Sequence, residues 1–212
     1  TKFESLLQHI KRRIDVHGSL LVDKNGKILY NNYIGFADFG KNKPLNEASV
    51  FQLASVSKQF TAAAIMLLYE RNQIQLTDTV NNYFPDFPYE NVTIKNLLNH
   101  TAGLPKYFWV AEHKWDQEKA PTNSEMMALL ESIKVQRYFK PGRNVDYSNT
   151  GYFVLASIVE KVSGTSFSDF VKKNIFDPLD MKDSFVYSFE NDSIKTNQEI
   201  LDYNEVLKRV TK

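Results

Sequence analysis

The chain has 212 residues, 42% hydrophobic and 24% charged, a globular composition that excludes disorder and collagen-like structure. Its 26 basic and 25 acidic side chains leave a formal charge of +1, which offers no positive field for phosphates and speaks against a nucleic-acid partner. Cysteine is absent, so disulfides, thiolate metal sites and cysteine nucleophiles are excluded. The four histidines (His9, His17, His100, His113) share no metal-ligand spacing, which speaks against metal catalysis. The longest apolar run, Ala62 to Leu68, is far too short for a transmembrane segment. The chain opens on Thr1 without a signal peptide, the pattern of a processed or trimmed product.

Taken in chain order, Phe3, Leu6, Leu7, Ile10 and Ile14 recur at three- and four-residue steps. They predict an amphipathic helix over 3–14, with Lys11-Arg12-Arg13 as a solvated basic face near its end. Asn25-Gly26 between two β-rich runs, Gly18 to Asp23 and Ile28 to Tyr30, predicts a hairpin. The second strand is expected to continue through Tyr33 to Ala37. A two-stranded hairpin is marginal alone. It either packs on the N-terminal helix or, as the sequence reading prefers, is completed by strands beyond Lys212.

From Ser49 the pattern turns helical. Phe60, Ala63, Ala64, Leu67 and Leu68 form one stripe and predict a helix over 56–71. A short helix over 94–99 follows Thr93 and is closed by Gly103 and Pro105. Thr122 and Glu125 form a capping box for a helix over 124–134. Further helices are predicted over 150–163, stopped by Gly164, and over 166–175, ended by Pro178. Thr196 and Glu199 open a last amphipathic segment reaching Val210. Met66, Met126, Met127 and the tyrosines outside Tyr147 read as packing.

The first chemical signal is Ser55-Val56-Ser57-Lys58 at the start of the long helix. Residues three apart share a helix face, so the Lys58 nitrogen can reach the Ser55 hydroxyl. A serine hydroxyl is a weak nucleophile until a base takes its proton, and a lysine in a suitable environment can be that base. The helix N-terminus also favours negative charge developing at Ser55. The second signal is Tyr147-Ser148-Asn149, in the turn before the helix over 150–163. Its phenol can shuttle protons and its amide can hold a carbonyl or the lysine. Tyr30-Asn31-Asn32 and Tyr89-Glu90-Asn91 match the same pattern, but only Tyr147 follows Phe139-Lys140-Pro141-Gly142 and precedes Gly151-Tyr152.

With these segments in order, together with Leu97-Leu98-Asn99-His100-Thr101-Ala102-Gly103-Leu104-Pro105 and Pro178-Leu179-Asp180-Met181, the chain from Gly18 to Phe185 resembles the serine β-lactamase-like hydrolases. These are the class C β-lactamases, the penicillin-binding D,D-peptidases and related esterases. The resemblance implies an α+β fold, an antiparallel sheet with flanking helices plus a helical subdomain. It implies one incomplete domain over 1–212, with a helix and hairpin (1–48), a mostly helical part (49–185) and a tail (186–212). Ser55 matches the acylated nucleophile, Lys58 its activating partner, Tyr147 the proton-transferring phenol, and Asn149 the amide touching lysine and substrate. His100 matches a position that is structural in the family. The implied substrate is a small molecule or a peptidoglycan-type peptide, the implied location is periplasmic or otherwise extracytoplasmic, and the resemblance implies no cofactor.

The family's third motif, Lys/His-Thr/Ser-Gly, has no counterpart after Tyr147; Lys195-Thr196-Asn197 lacks the glycine and reads as a helix cap. Relative to the family, the chain is therefore expected to lack the sheet's C-terminal strands. The function implied is a serine hydrolase acting through an acyl-enzyme on a β-lactam, D-alanyl peptide or ester. The absent motif motivates a second reading, a non-catalytic relative that binds peptidoglycan or a protein partner.

Overall fold

A computed structural model of the chain describes residues 2–13, 16–115, 121–132 and 135–187. The chain divides between Leu53 and Ala54 into two compact units. The first begins with helix α1 (Lys2–Lys11), followed by strands β1 (Gly18–Lys24) and β2 (Lys27–Ile34) in an antiparallel hairpin. The hairpin turns at Asn25-Gly26 as the sequence predicts, and the Gly26 N–H donates to Asp23 Oδ1 at 3.0 Å. Register runs from Gly18 opposite Ile34 to Lys24 opposite Lys27, with a bulge between Val22 and Asp23. Alternation puts Tyr30 and Ile34 on one face, where they bury against Leu7 of α1 with Phe3, Val16 and Val22 around them. Packing on the N-terminal helix, the less favoured of the two sequence expectations, is thus present. On the opposite face Leu29 and Leu21 stay 44% and 54% exposed.

The second strand does not run on to Ala37. It ends at Ile34 because Gly35 adopts φ +83°, and a Cβ there would meet the His17 ring at 1.9 Å. Beyond that corner, β3 (Phe36–Asp38) pairs with β4 (Lys43–Pro44) as a separate two-stranded sheet.

The second unit is helical. A 3-10 turn over Ala54–Ser57 leads into α2 (Lys58–Glu70), and a second 3-10 turn spans Val80–Asn82. Then follow α3 (Ile94–Leu98), α4 (Tyr107–Lys114), α5 (Asn123–Ser132), α6 (Asn149–Ser163) and α7 (Phe167–Val171). The last helix widens into a π turn over Lys172–Phe176. α6 is the axis, packing against α2, α3, α5 and α7. Eight of its fifteen residues are buried, which is why its apolar stripe is wide. Leu155 and Ile158 from α6, Ile65 and Leu68 from α2, and Ile94 and Leu97 from α3 are fully enclosed in one core. Each such side chain contributes about 1.5–3 kcal/mol of burial.

The helix ends follow local chemistry. Thr93 caps α3 by accepting the Asn96 N–H at 3.1 Å, while the Asn96 side chain accepts the Thr93 N–H. Thr122 and Glu125 form the expected capping box, and α6 stops at Gly164.

Four further details differ from the sequence expectations. The long helix begins as a 3-10 turn, so Ser55 precedes the α-helical ladder rather than opening it. The segment over 166–175 is a short helix followed by a π turn. Met66 is 43% exposed, whereas Met126 and Met127 are core residues. Helix α4 was not foreseen: Phe108 and Trp109 project outward instead of forming an inward stripe, and Lys106 supplies no side-chain cap. The helix expected after Thr196 lies outside the described residues. The antiparallel pairing and packed helices agree with the α+β expectation.

Candidate active site

All four residues singled out by the sequence lie in the helical unit, and the structure brings them together. Ser55 and Lys58 stand at either end of the short turn that feeds α2. A 3-10 turn has three residues per revolution, so positions three apart eclipse and their side chains stack. Lys58 Nζ donates to Ser55 Oγ at 3.3 Å. Ala54, immediately before the serine, has φ +46°, a left-handed conformation uncommon for a residue with a Cβ. Such strained residues gather at functional sites, where surrounding structure holds them.

Tyr147 and Asn149 arrive from far along the chain. Ser148 caps α6, its Oγ accepting the Gly151 N–H at 3.1 Å, and this sets Asn149 as the first residue of that helix. Lys58 Nζ donates to Asn149 Oδ1 at 2.6 Å across a sequence separation of 91. The same nitrogen lies 4.8 Å from the centre of the Tyr147 ring and 5.5 Å from that of Tyr152. Lys58 and, after it, Ser55 act on the Tyr147 hydroxyl and hold its pKa below the ordinary phenol value. Tyr147 is 54% exposed, so the cluster opens to an incoming molecule.

The segment beneath the cluster is fixed by close backbone approach. Gly103 has φ +69°, and a Cβ there would lie 2.2 Å from the Phe139 carbonyl oxygen. Only glycine lets the two strands of chain approach so closely. Around that contact the Tyr138 N–H donates to the Gly103 oxygen, and the Gly142 N–H donates to the Thr101 oxygen, both at 2.9 Å. The Leu97-to-Pro105 and Phe139-to-Gly142 segments noticed in the sequence are therefore partners in space, forming the floor under Tyr147. Thr150 adds a tie, donating to the Pro105 oxygen at 2.6 Å and accepting the Tyr107 N–H at 2.9 Å.

Two residues gain a place that sequence reading did not give them. Tyr152, read as packing, faces Lys58; its signal was its position three residues after Asn149, on the same side of α6. His100, read as structural, lies with its ring centre 4.7 Å from that of Tyr147. Among the described residues, no group of three or more His, Cys, Asp and Glu could hold a metal ion.

A serine hydroxyl, an amine, a phenol with a depressed pKa and an amide thus converge at one exposed point. The Beta-lactamase family model matches residues 5–197. The chain belongs to the β-lactamase family. A penicillin-binding protein of Bacillus subtilis (strain 168) is 40% identical over 185 residues, covering 87% of this chain and 41% of that protein. The crystal structure of a penicillin-binding protein from Bacillus halodurans superposes with a TM-score of 0.81 at 27% identity, over 100% of this chain and 63% of that one. D-amino acid amidase from Ochrobactrum anthropi SV3, solved with L-phenylalanine amide, gives a TM-score of 0.75 at 28% identity, over 92% of this chain and 54% of that one. The chain spans about two fifths of the length of the curated relatives it matches.

Proposed function

We propose that this chain carries the acylation site of a serine hydrolase, within a single domain to which both compact units belong. Ser55 is the nucleophile, Tyr147 the group that receives its proton, Lys58 the cation that organises both, and Asn149 the anchor for Lys58 and for a substrate carbonyl. The observation that carries the reading is the three-way meeting at Lys58 Nζ, 3.3 Å from Ser55 Oγ, 2.6 Å from Asn149 Oδ1 and 4.8 Å from the centre of the Tyr147 ring. The direction of the Tyr147 shift supports the phenol as base, because Lys58 and then Ser55 favour its oxyanion.

In the acylation step, Ser55 Oγ bonds to the carbonyl carbon of an ester, β-lactam or D-alanyl amide as its proton moves to the Tyr147 oxygen. The carbon–oxygen or carbon–nitrogen bond to the leaving group then breaks, and that group takes the proton from Tyr147. Water, giving its proton back through the phenol, attacks the Ser55 ester and releases the acid. The Ser55 N–H is one donor to the developing oxyanion, and a missing donor there costs ~10²–10³ in rate. Among the described residues no helix is long and apolar enough to cross a membrane, and the likeness to penicillin-binding proteins supports an extracytoplasmic location.

The test is covalent labelling with a fluorescent penicillin and a fluorophosphonate, read by mass spectrometry of the tryptic peptide. Stoichiometric adduct on Ser55, lost in Ser55→Ala, is the expected outcome. Adduct that persists in Ser55→Ala refutes the assignment.

A further inference from the structure

His100 makes more contacts with the site than a structural residue under a loop requires. Its Nδ1 accepts the Ser148 N–H at 3.1 Å, and its own carbonyl oxygen accepts the Asp146 N–H at 2.9 Å. These two bonds grip the chain immediately before and immediately after Tyr147. The imidazole also lies under both aromatic rings that face Lys58, with centre separations of 4.7 Å to Tyr147 and 5.1 Å to Tyr152. Its anchor is firm. His100 follows α3 directly, its N–H donates to the Leu97 oxygen at 3.2 Å, and Leu97 is fully buried. Its φ is +57°, a conformation that histidine and asparagine enter far more readily than aliphatic residues do.

We propose that His100 is a positioning residue for acylation, a neutral imidazole that holds Tyr147 and Asn149 against Lys58 and lets go when it is protonated. The proposal rests on the Ser55 reading above. An imidazole that accepts through Nδ1 must carry its single proton on Nε2. Protonation converts Nδ1 into a donor facing a donor, the Ser148 N–H, and the turn loses its central bond.

The charged and titratable groups facing the ring act in the same sense on balance. Burial and Lys58 from α2 disfavour the imidazolium, and Asp146 from the turn favours it. Tyr147 and Tyr152 complete the surroundings. The result is a pKa below the ordinary histidine value. A histidine with a depressed folded pKa leaves the fold undisturbed above its unfolded value. It withdraws stability as pH falls through that value toward the folded one. The turn therefore holds at neutral pH and loosens under acid.

The test combines imidazole nitrogen NMR on the full chain with labelling of the full-length protein. In the spectra, His100 is expected as the Nε2-protonated tautomer, and its titration should move the Ser148 amide and Tyr147 ring resonances in step. A His100 that titrates while those resonances stay still overturns the proposal, whether or not Ser55 reacts. In labelling, His100→Leu should slow acylation by about 10²-fold, the scale of a small misplacement of a reacting group. His100→Asn, which tolerates the same backbone and presents Oδ1 to the Ser148 N–H, should recover the rate to within about tenfold of wild type. It should also lose the acid break assigned to the imidazole. Equal labelling rates and pH profiles for wild type and His100→Leu would overturn the proposal. An unlabelled wild type would instead count against the Ser55 reading, leaving the NMR result to judge His100.

Discussion

The hairpin unit and the helical unit show two levels of commitment to structure. In the first, three side chains, Leu7, Tyr30 and Ile34, form the buried cluster, and the far face of the hairpin leaves Leu21 and Leu29 open. In the second, four helices contribute side chains with no measurable exposure to one core, and every residue of the candidate site lies in that unit. Reacting groups need to be held within fractions of an ångström, and a dense core is what holds them. The proposed site sits on the better-packed unit.

The sharpest way to break this comparison is at the reacting atoms. Ser55→Ala should abolish covalent labelling, and retained turnover of p-nitrophenyl acetate by that variant would move the chemistry elsewhere. Tyr147→Phe should lower the acylation rate by ~10²–10⁴, the usual contribution of a general base, with the fold unchanged by circular dichroism. In wild type, acylation should rise as pH climbs through the depressed Tyr147 pKa, because the phenolate is the competent form above it. A stopped-flow pH profile that keeps this rise in Tyr147→Phe would remove the phenol from the mechanism.

Packing predictions come next in size. Leu68→Ala, in the core of the helical unit, should cost about 2–5 kcal/mol in denaturant titration. Gly103→Ala should cost about 1–3 kcal/mol through the collision with the Phe139 carbonyl. It should slow labelling as well, because the floor under Tyr147 moves. Leu29→Ser, on the open face of the hairpin, should change stability by no more than about 0.5 kcal/mol. A loss at Leu29 as large as that at Leu68 would erase the contrast between the units.

Much of this arrangement was legible in the sequence because the signals were local. Asn25-Gly26 dictates its turn, Thr122 and Glu125 their capping box, and Gly164 its helix end. Ser55 and Lys58 were readable as a pair because three-residue spacing stacks side chains in any tight right-handed turn. Spacing could not tell whether that turn is α or 3-10, since the apolar stripe begins only at Phe60. Tyr147 and Asn149 were found by their flanking segments, but their contact with Lys58 is a tertiary fact that no local rule encodes. Helix α4 escaped because its aromatic residues face outward. Tyr33 to Ala37 read as one strand because the close approach of His17 to Gly35 is visible only in three dimensions. His100 was placed in a structural segment. Its grip on both sides of Tyr147 depends on a left-handed backbone that one sequence does not announce.

The bond from Lys58 to Asn149 closes a loop of about ninety residues, and this has a consequence for synthesis. A nascent chain that has just exposed its serine and lysine holds two ordinary polar side chains. At ~5–20 residues per second the ribosome needs several seconds more to deliver the tyrosine and asparagine. Until then the serine has no phenol beside it and the lysine lacks the amide that holds it. The four side chains of the proposed site can therefore meet only once Asn149 has emerged, and the proposed acylation is withheld while the chain is being made.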